Sequence, residues 1–122
     1  MKKLIFISHP SGGLSENTRH VERIMQKLYT SKKISDEYCV VAGILNYGHM
    51  YSCEESEYLA GLDFCTDLLQ RCDLMLLCGD WKTSRGCIAE KEFCDTHNIK
   101  YIEVPNENAL NDILKYGINV KG

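Results

Sequence analysis

Short apolar runs alternate with longer amphipathic stretches along this chain, and the alternation lays out the elements. Leu4 to Ser8 reads as a first strand, and Tyr38 to Ala42, Asp73 to Cys78 and Lys100 to Val104 as three more. Between them, apolar residues recur at helical spacing. Ser15 to about Tyr29 carries Val21, Ile24, Met25 and Leu28 on one stripe. Glu54 to Arg71 carries Tyr58, Leu59, Leu62, Cys65 and Leu69. Gly86 to His97 and Glu107 to Tyr116 supply two further helices. The joints are a Pro/Gly loop from His9 to Leu14, a polar connection from Thr30 to Glu37, a Tyr/His/Met-rich loop from Asn46 to Cys53, and Gly79 to Arg85. The tail, Gly117 to Gly122, reads as short strand or coil.

Strands that alternate with helices imply a parallel sheet covered on both faces. Strand two is continuous and apolar, as a buried parallel strand should be. With right-handed crossovers few topologies remain. The expected fold is α/β, a three-layer α/β/α sandwich with a flavodoxin- or Rossmann-like parallel sheet in strand order 2-1-3-4. It is expected to form one domain over all 122 residues. Ligands in such sheets bind outside the carboxyl ends of the strands, near the point where strand order reverses. Here that point lies between strands one and three, where the loops His9 to Asn17, Asn46 to Cys53 and Gly79 to Gly86 converge.

Composition narrows the chemistry. A net charge of -3 and the lack of a Lys/Arg stripe give no reason to expect nucleic-acid binding. No run approaches the ~18 apolar residues of a membrane span. The apolar run after Lys2 and Lys3 ends at Ile7, too short for an export signal. Seven cysteines, with no Cys-x-x-Cys pair, read as reduced thiols of a cytoplasmic protein. Cys39, Cys65, Cys72, Cys78, Cys87 and Cys94 fall at core-like positions. Cys94-x-x-His97 and His49-x-x-x-Cys53 are metal half-sites without second halves, so no metal is expected, and no cofactor.

One residue breaks the pattern. On the wheel of the Gly86 to His97 helix, Gly86, Cys87, Ala89, Phe93 and Cys94 share one arc, and Glu90 lies near its centre with His97 beside it. An ionised carboxylate is costly to bury without partners. It either does chemistry or caps the amides of a neighbouring loop.

The converging loops carry further candidates. Ser8, His9, Ser11, Gly12 and Gly13 precede a helix start, where paired glycines let backbone amides approach an anion such as phosphate; the alternative is a plain turn capped by Ser15. Ser84 can cap the helix that holds Glu90, and Lys82 and Arg85 place positive charge at its start. Gly86 would let a ligand or backbone come close. Trp81 would stack on a base, cover a pocket, or pack against the helix. Asp63 and Asp67 fall outside the apolar stripe of their helix, as solvated acids do. Phe64 and Leu68 form a second apolar shoulder there, which hints at a subunit interface.

Cys72-Asp73, an apolar strand, Gly79-Asp80-Trp81 and then Ser84-x-Gly86-x-x-x-Glu90 together resemble the signature of the nucleoside 2-deoxyribosyltransferase superfamily, in particular its small bacterial and phage members. Phe6 to Gly13 with Glu16-Asn17, and Gly61-Leu62 to Leu68-Leu69, resemble that family's first loop and the helix before strand three. The resemblance covers residues 4–104. It implies that Glu90 is a nucleophile that attacks the anomeric carbon of a nucleoside and forms a sugar ester, which another base or water resolves. It also implies a homodimer or higher homo-oligomer. Two positions depart from the family pattern. Cys65 stands where the family has an aspartate, with Asp63 and Asp67 two residues to either side. Ser8 and His9 stand where some relatives have a tyrosine.

The resemblance and the inward Glu90 lead to an N-glycosidase or deoxyribosyltransferase that acts on a nucleoside or nucleoside 5′-monophosphate. In that reading an acid among Asp63, Asp67 and His49 assists the leaving base. The competing reading is a module on the same fold that binds such a nucleotide without turning it over. A flavodoxin-type redox role is weaker, because the first loop lacks the Ser/Thr-rich pattern that wraps a flavin phosphate.

Overall fold

The computed structural model describes residues 1–11, 15–52 and 54–118. Four strands form one all-parallel sheet: β1 (Lys3–Ser8), β2 (Tyr38–Ala42), β3 (Leu74–Cys78) and β4 (Lys100–Val104), in the order β2-β1-β3-β4. Helix α1 (Ser15–Tyr29), the single turn α2 (Lys32–Ser35) and α6 (Glu107–Tyr116) cover one face. Helices α4 (Glu55–Gln70) and α5 (Arg85–His97) cover the other. The result is a three-layer α/β/α sandwich of flavodoxin/Rossmann-like type.

Strand alternation divides the core in two. Ile5 and Ile7 of β1, with Leu74 and Leu76 of β3, pack under Val21, Ile24 and Leu28 of α1 and Leu110 and Ile113 of α6. Phe6 of β1, with Met75 and Leu77 of β3, packs under Cys65 and Leu69 of α4 and Cys87 and Cys94 of α5. The same parity sends Ser8, the last residue of β1, toward α5 and His9 toward α1. Every residue of β3 is buried, as a central parallel strand requires.

Several expectations need correction. Strand β2, at the edge that the expected order gives it, is only partly buried, and Cys39 is exposed rather than core-like. The polar connection from Thr30 to Glu37 holds the turn α2, which buries Ile34. The loop from Asn46 to Cys53 is largely helical, with α3 (Gly43–Tyr47) followed by a 3-10 segment, Gly48–Ser52. On α4 the buried line is Gly61, Cys65 and Leu69, while Leu59 is exposed. Gly12, Gly13 and Cys53, and the tail beyond residue 118, lie outside the described residues.

Two glycines are required by the fold. Gly79, directly after β3, has φ of +67° and packs near Pro10. Gly43 opens α3 under α4, where a Cβ would stand 2.6 Å from Cys65 Sγ and 3.1 Å from the Phe6 ring. Gly43→Ala should therefore cost about 1–3 kcal/mol in chemical unfolding. Cys65→Ala in the same background should recover part of that loss; an additive double variant would show that the sulfur is not the obstacle.

Candidate functional site

Helix α5 begins at a cap. Ser84 Oγ accepts the backbone N–H of Cys87 at 3.2 Å. The helix buries Cys87, Glu90 and Cys94 against the sheet and ends on Asn98, in the left-handed region at φ 56°. Glu90 is 6% exposed. Its Oε1 accepts the Ser8 hydroxyl at 2.7 Å, the single hydrogen bond it makes among the described residues. No Lys or Arg side chain pairs with it among them. Among the described residues, Glu90 accepts no backbone amide. Burial pushes its carboxyl up to about 7, and the Ser8 hydroxyl restrains the rise.

The acid lines a cavity of about 330 Å³ at the carboxyl ends of β1 and β3. The walls are Ile7, His9, Pro10 and Ser11 from β1 and its loop, Asn17 of α1 and Ile44 of α3. Tyr51 and Tyr58 come from the chain between β2 and β3, and Thr83 to Cys87 from the start of α5. His9, Ser11, Ser84, Arg85, Gly86 and Glu90 are thus brought together as expected, with Ser8 beneath them on Glu90. His9 is held by two bonds. Its Nδ1–H donates to the Pro10 carbonyl at 2.7 Å, so its Nε2 accepts from His20 Nδ1 at 2.9 Å. Burial lowers its pKa, which favours the neutral ring. Arg85 reaches Glu55 at 2.7 Å and lies 4.7 Å over the Tyr58 ring.

Other candidates lie elsewhere. Asp63 and Asp67 are exposed on α4, and Asp67 pairs with Arg71 at 3.3 Å. His49 is exposed on the 3-10 segment and is not among the cavity walls. Trp81 packs outside the cavity, with Nε1 donating to Glu103 at 2.8 Å and Lys91 over its ring at 5.8 Å. The half-site Cys94-x-x-His97 is not assembled: Cys94 contacts Met75, while His97 stacks on Phe93.

The sequence reading missed the tyrosines as wall residues. Tyr51 shares a 2.8 Å hydrogen bond with Cys65 Sγ, and its ring leans on Tyr58 at 5.3 Å. Burial lifts the Tyr51 hydroxyl far above the ordinary phenol range and the Cys65 thiol to about 12. Cys65 is thus a neutral, fully buried group facing Tyr51. Tyr51 also sits within electrostatic reach of Glu90. The signal that could have found it is the unusual density of aromatic residues between Asn46 and Cys53.

No protein-family model and no curated protein matches the chain.

The raised carboxyl has a thermodynamic signature. The folded state holds the Glu90 proton more tightly than the unfolded chain, whose ordinary value is 4.5. The resulting penalty is absent below that pH, grows as pH rises, and is complete above about 7. Glu90→Gln removes the titration, so it should gain about 3 kcal/mol relative to wild type between pH 4 and pH 8 in urea unfolding. Parallel stability curves across that range would mean that the acid is not desolvated.

Proposed function

We propose that this chain cleaves the N-glycosidic bond of a nucleoside or nucleoside 5′-monophosphate, with Glu90 as the nucleophile. One observation carries the reading: a buried acid, fixed by one hydroxyl and paired with no cation among the described residues, lines a cavity of about 330 Å³. Such a volume suits a small ligand. The resemblance of Ser84-x-Gly86-x-x-x-Glu90 to the deoxyribosyltransferase pattern supports the same assignment.

The chemistry follows from charge. As the bond to the base weakens, positive charge grows at the anomeric carbon. A carboxylate in a low-dielectric wall stabilises that charge and then bonds to the carbon. Water or a second base displaces the sugar from the ester in a second step. Ser8 orients the attacking carboxylate, and its hydrogen bond keeps part of the Glu90 population ionised near neutral pH. The amide groups at the start of α5 and the Arg85 guanidinium lie where a phosphate or sugar hydroxyl would be held.

A non-catalytic nucleotide-binding module remains the second reading. It is favoured by Cys65 in place of the acid, tied to Tyr51. The expected association of chains has one support, the exposed Leu45, Leu59 and Phe64 on α3 and α4.

Wild-type protein should release free base from at least one member of a panel of ribo- and deoxyribonucleosides and their 5′-monophosphates, read by chromatography. Glu90→Ala should lose on the order of 10³-fold or more of that rate. Full activity of that variant sinks the mechanism, whereas tight binding with no release by wild type selects the module. In the active case kcat/KM should climb with pH through about 7, where Glu90 ionises. Ser8→Ala removes a bond that favours the ionised form and should move this limb to higher pH.

A further inference from the structure

A departing base carries away the electron pair of the broken bond and needs a proton. The acids suggested by sequence do not line the cavity: Asp63, Asp67 and His49 are exposed outside its walls. Most proton-bearing side chains that do line it are already engaged, with Asn17 on the Ser11 carbonyl, Arg85 on Glu55 and Ser84 on Cys87. His9 gives its proton to the Pro10 carbonyl, and Tyr51 shares its hydroxyl with Cys65. Thr83 donates to the Asp80 carbonyl, and the Cys87 thiol lies against Ser8 and Ser84.

Tyr58 differs from all of these. Its hydroxyl engages no hydrogen-bond partner among the described residues. It stands over the start of α5, 4.0 Å from the point where a Gly86 Cβ would be. Glu90 follows one turn further along the same helix, about 6 Å away in rise. A ligand seated on this helix face would therefore meet Glu90 at one end and Tyr58 at the other. The Arg85 guanidinium, 4.7 Å above the Tyr58 ring, is placed to stabilise a phenolate.

We propose that Tyr58 is the general acid that protonates the leaving base, with Arg85 as its positioning cation. The assignment rests on the glycosidase reading of Glu90. In the first step a Glu90 oxygen bonds to the anomeric carbon as the carbon–nitrogen bond breaks. The bond's electron pair stays with the base, which takes the Tyr58 proton. In the second step water attacks the same carbon, and its proton returns to the Tyr58 phenolate. The ester bond breaks, and its electron pair restores the Glu90 carboxylate. Burial, opposed by Arg85 and helped by Glu55, Glu90 and Cys87, keeps the Tyr58 phenol protonated at neutral pH, the form a proton donor needs.

The test compares two leaving groups on one sugar: a purine, which must be protonated, and 4-nitrophenolate, which need not be. Tyr58→Phe should lower kcat/KM on the nucleoside by about 10²–10⁴-fold and on the nitrophenyl glycoside by less than about tenfold. Arg85→Gln, which also removes a group placed to hold the sugar or phosphate, should lower both rates, and the nucleoside rate by the larger factor. Equal losses on both substrates would assign Tyr58 a structural role, and no loss on either would remove it from the mechanism; both overturn the proposal. Base release that depends on Glu90 but not on Tyr58 overturns this proposal alone. Base release that ignores Glu90→Ala, or is absent in wild type, overturns the glycosidase reading and this proposal with it. If Tyr58→Phe does not fold, a leaving-group series on wild type decides: a rate nearly independent of leaving-group pKa supports Tyr58, and a steep dependence overturns it.

Discussion

Among the described residues the Glu90 carboxyl is held by one hydroxyl and no cation, and much of the surrounding architecture serves to keep it there. Ser8 can reach it because β1 ends on the residue whose parity faces α5. Helix α5 can present it because Ser84 fixes the start of the helix and Cys87 and Cys94 seat it on the sheet. A buried acid with so few partners lowers stability when ionised. That cost is typical of positions kept for reactivity rather than for packing.

The cavity draws on both halves of the sandwich. Ile7 and Ile44 belong to the core under α1 and α6, whereas Cys87 belongs to the core under α4 and α5. The reversal of strand order beside β1 lets loops from both faces meet at one rim. His9 marks this junction: its ring lines the cavity while its Nε2 is tied to His20 on α1. Motion of α1 relative to the sheet would thus be felt directly at the cavity wall.

Glu90 was legible in the sequence because an acid inside an apolar arc contradicts the helix around it. The sheet order was legible because apolar runs and helical stripes alternate without interruption. Tyr58 was legible only as part of an apolar stripe, since an aromatic residue at helical spacing looks like core whether or not its hydroxyl meets a cavity. Tyr51 was hidden in a segment with loop-like composition that folds as short helical turns. Cys39 misled because an apolar strand has the same composition at the edge of a sheet as at its centre. Asp63 and Asp67 attracted interest through their distance in sequence from Cys65, but two positions along a helix is about 200° of rotation, which turns them to solvent.

The fit of Cys65 over Gly43 couples two positions far apart in the chain. The sulfur fills the room that a side chain at residue 43 would take, beside the Phe6 ring. A carboxylate at residue 65 would need that room too, and would have to shed its water in a place with no exposure. Replacing the thiol by an acid here would therefore be coupled to residue 43: a change at either position limits which side chains the other can take.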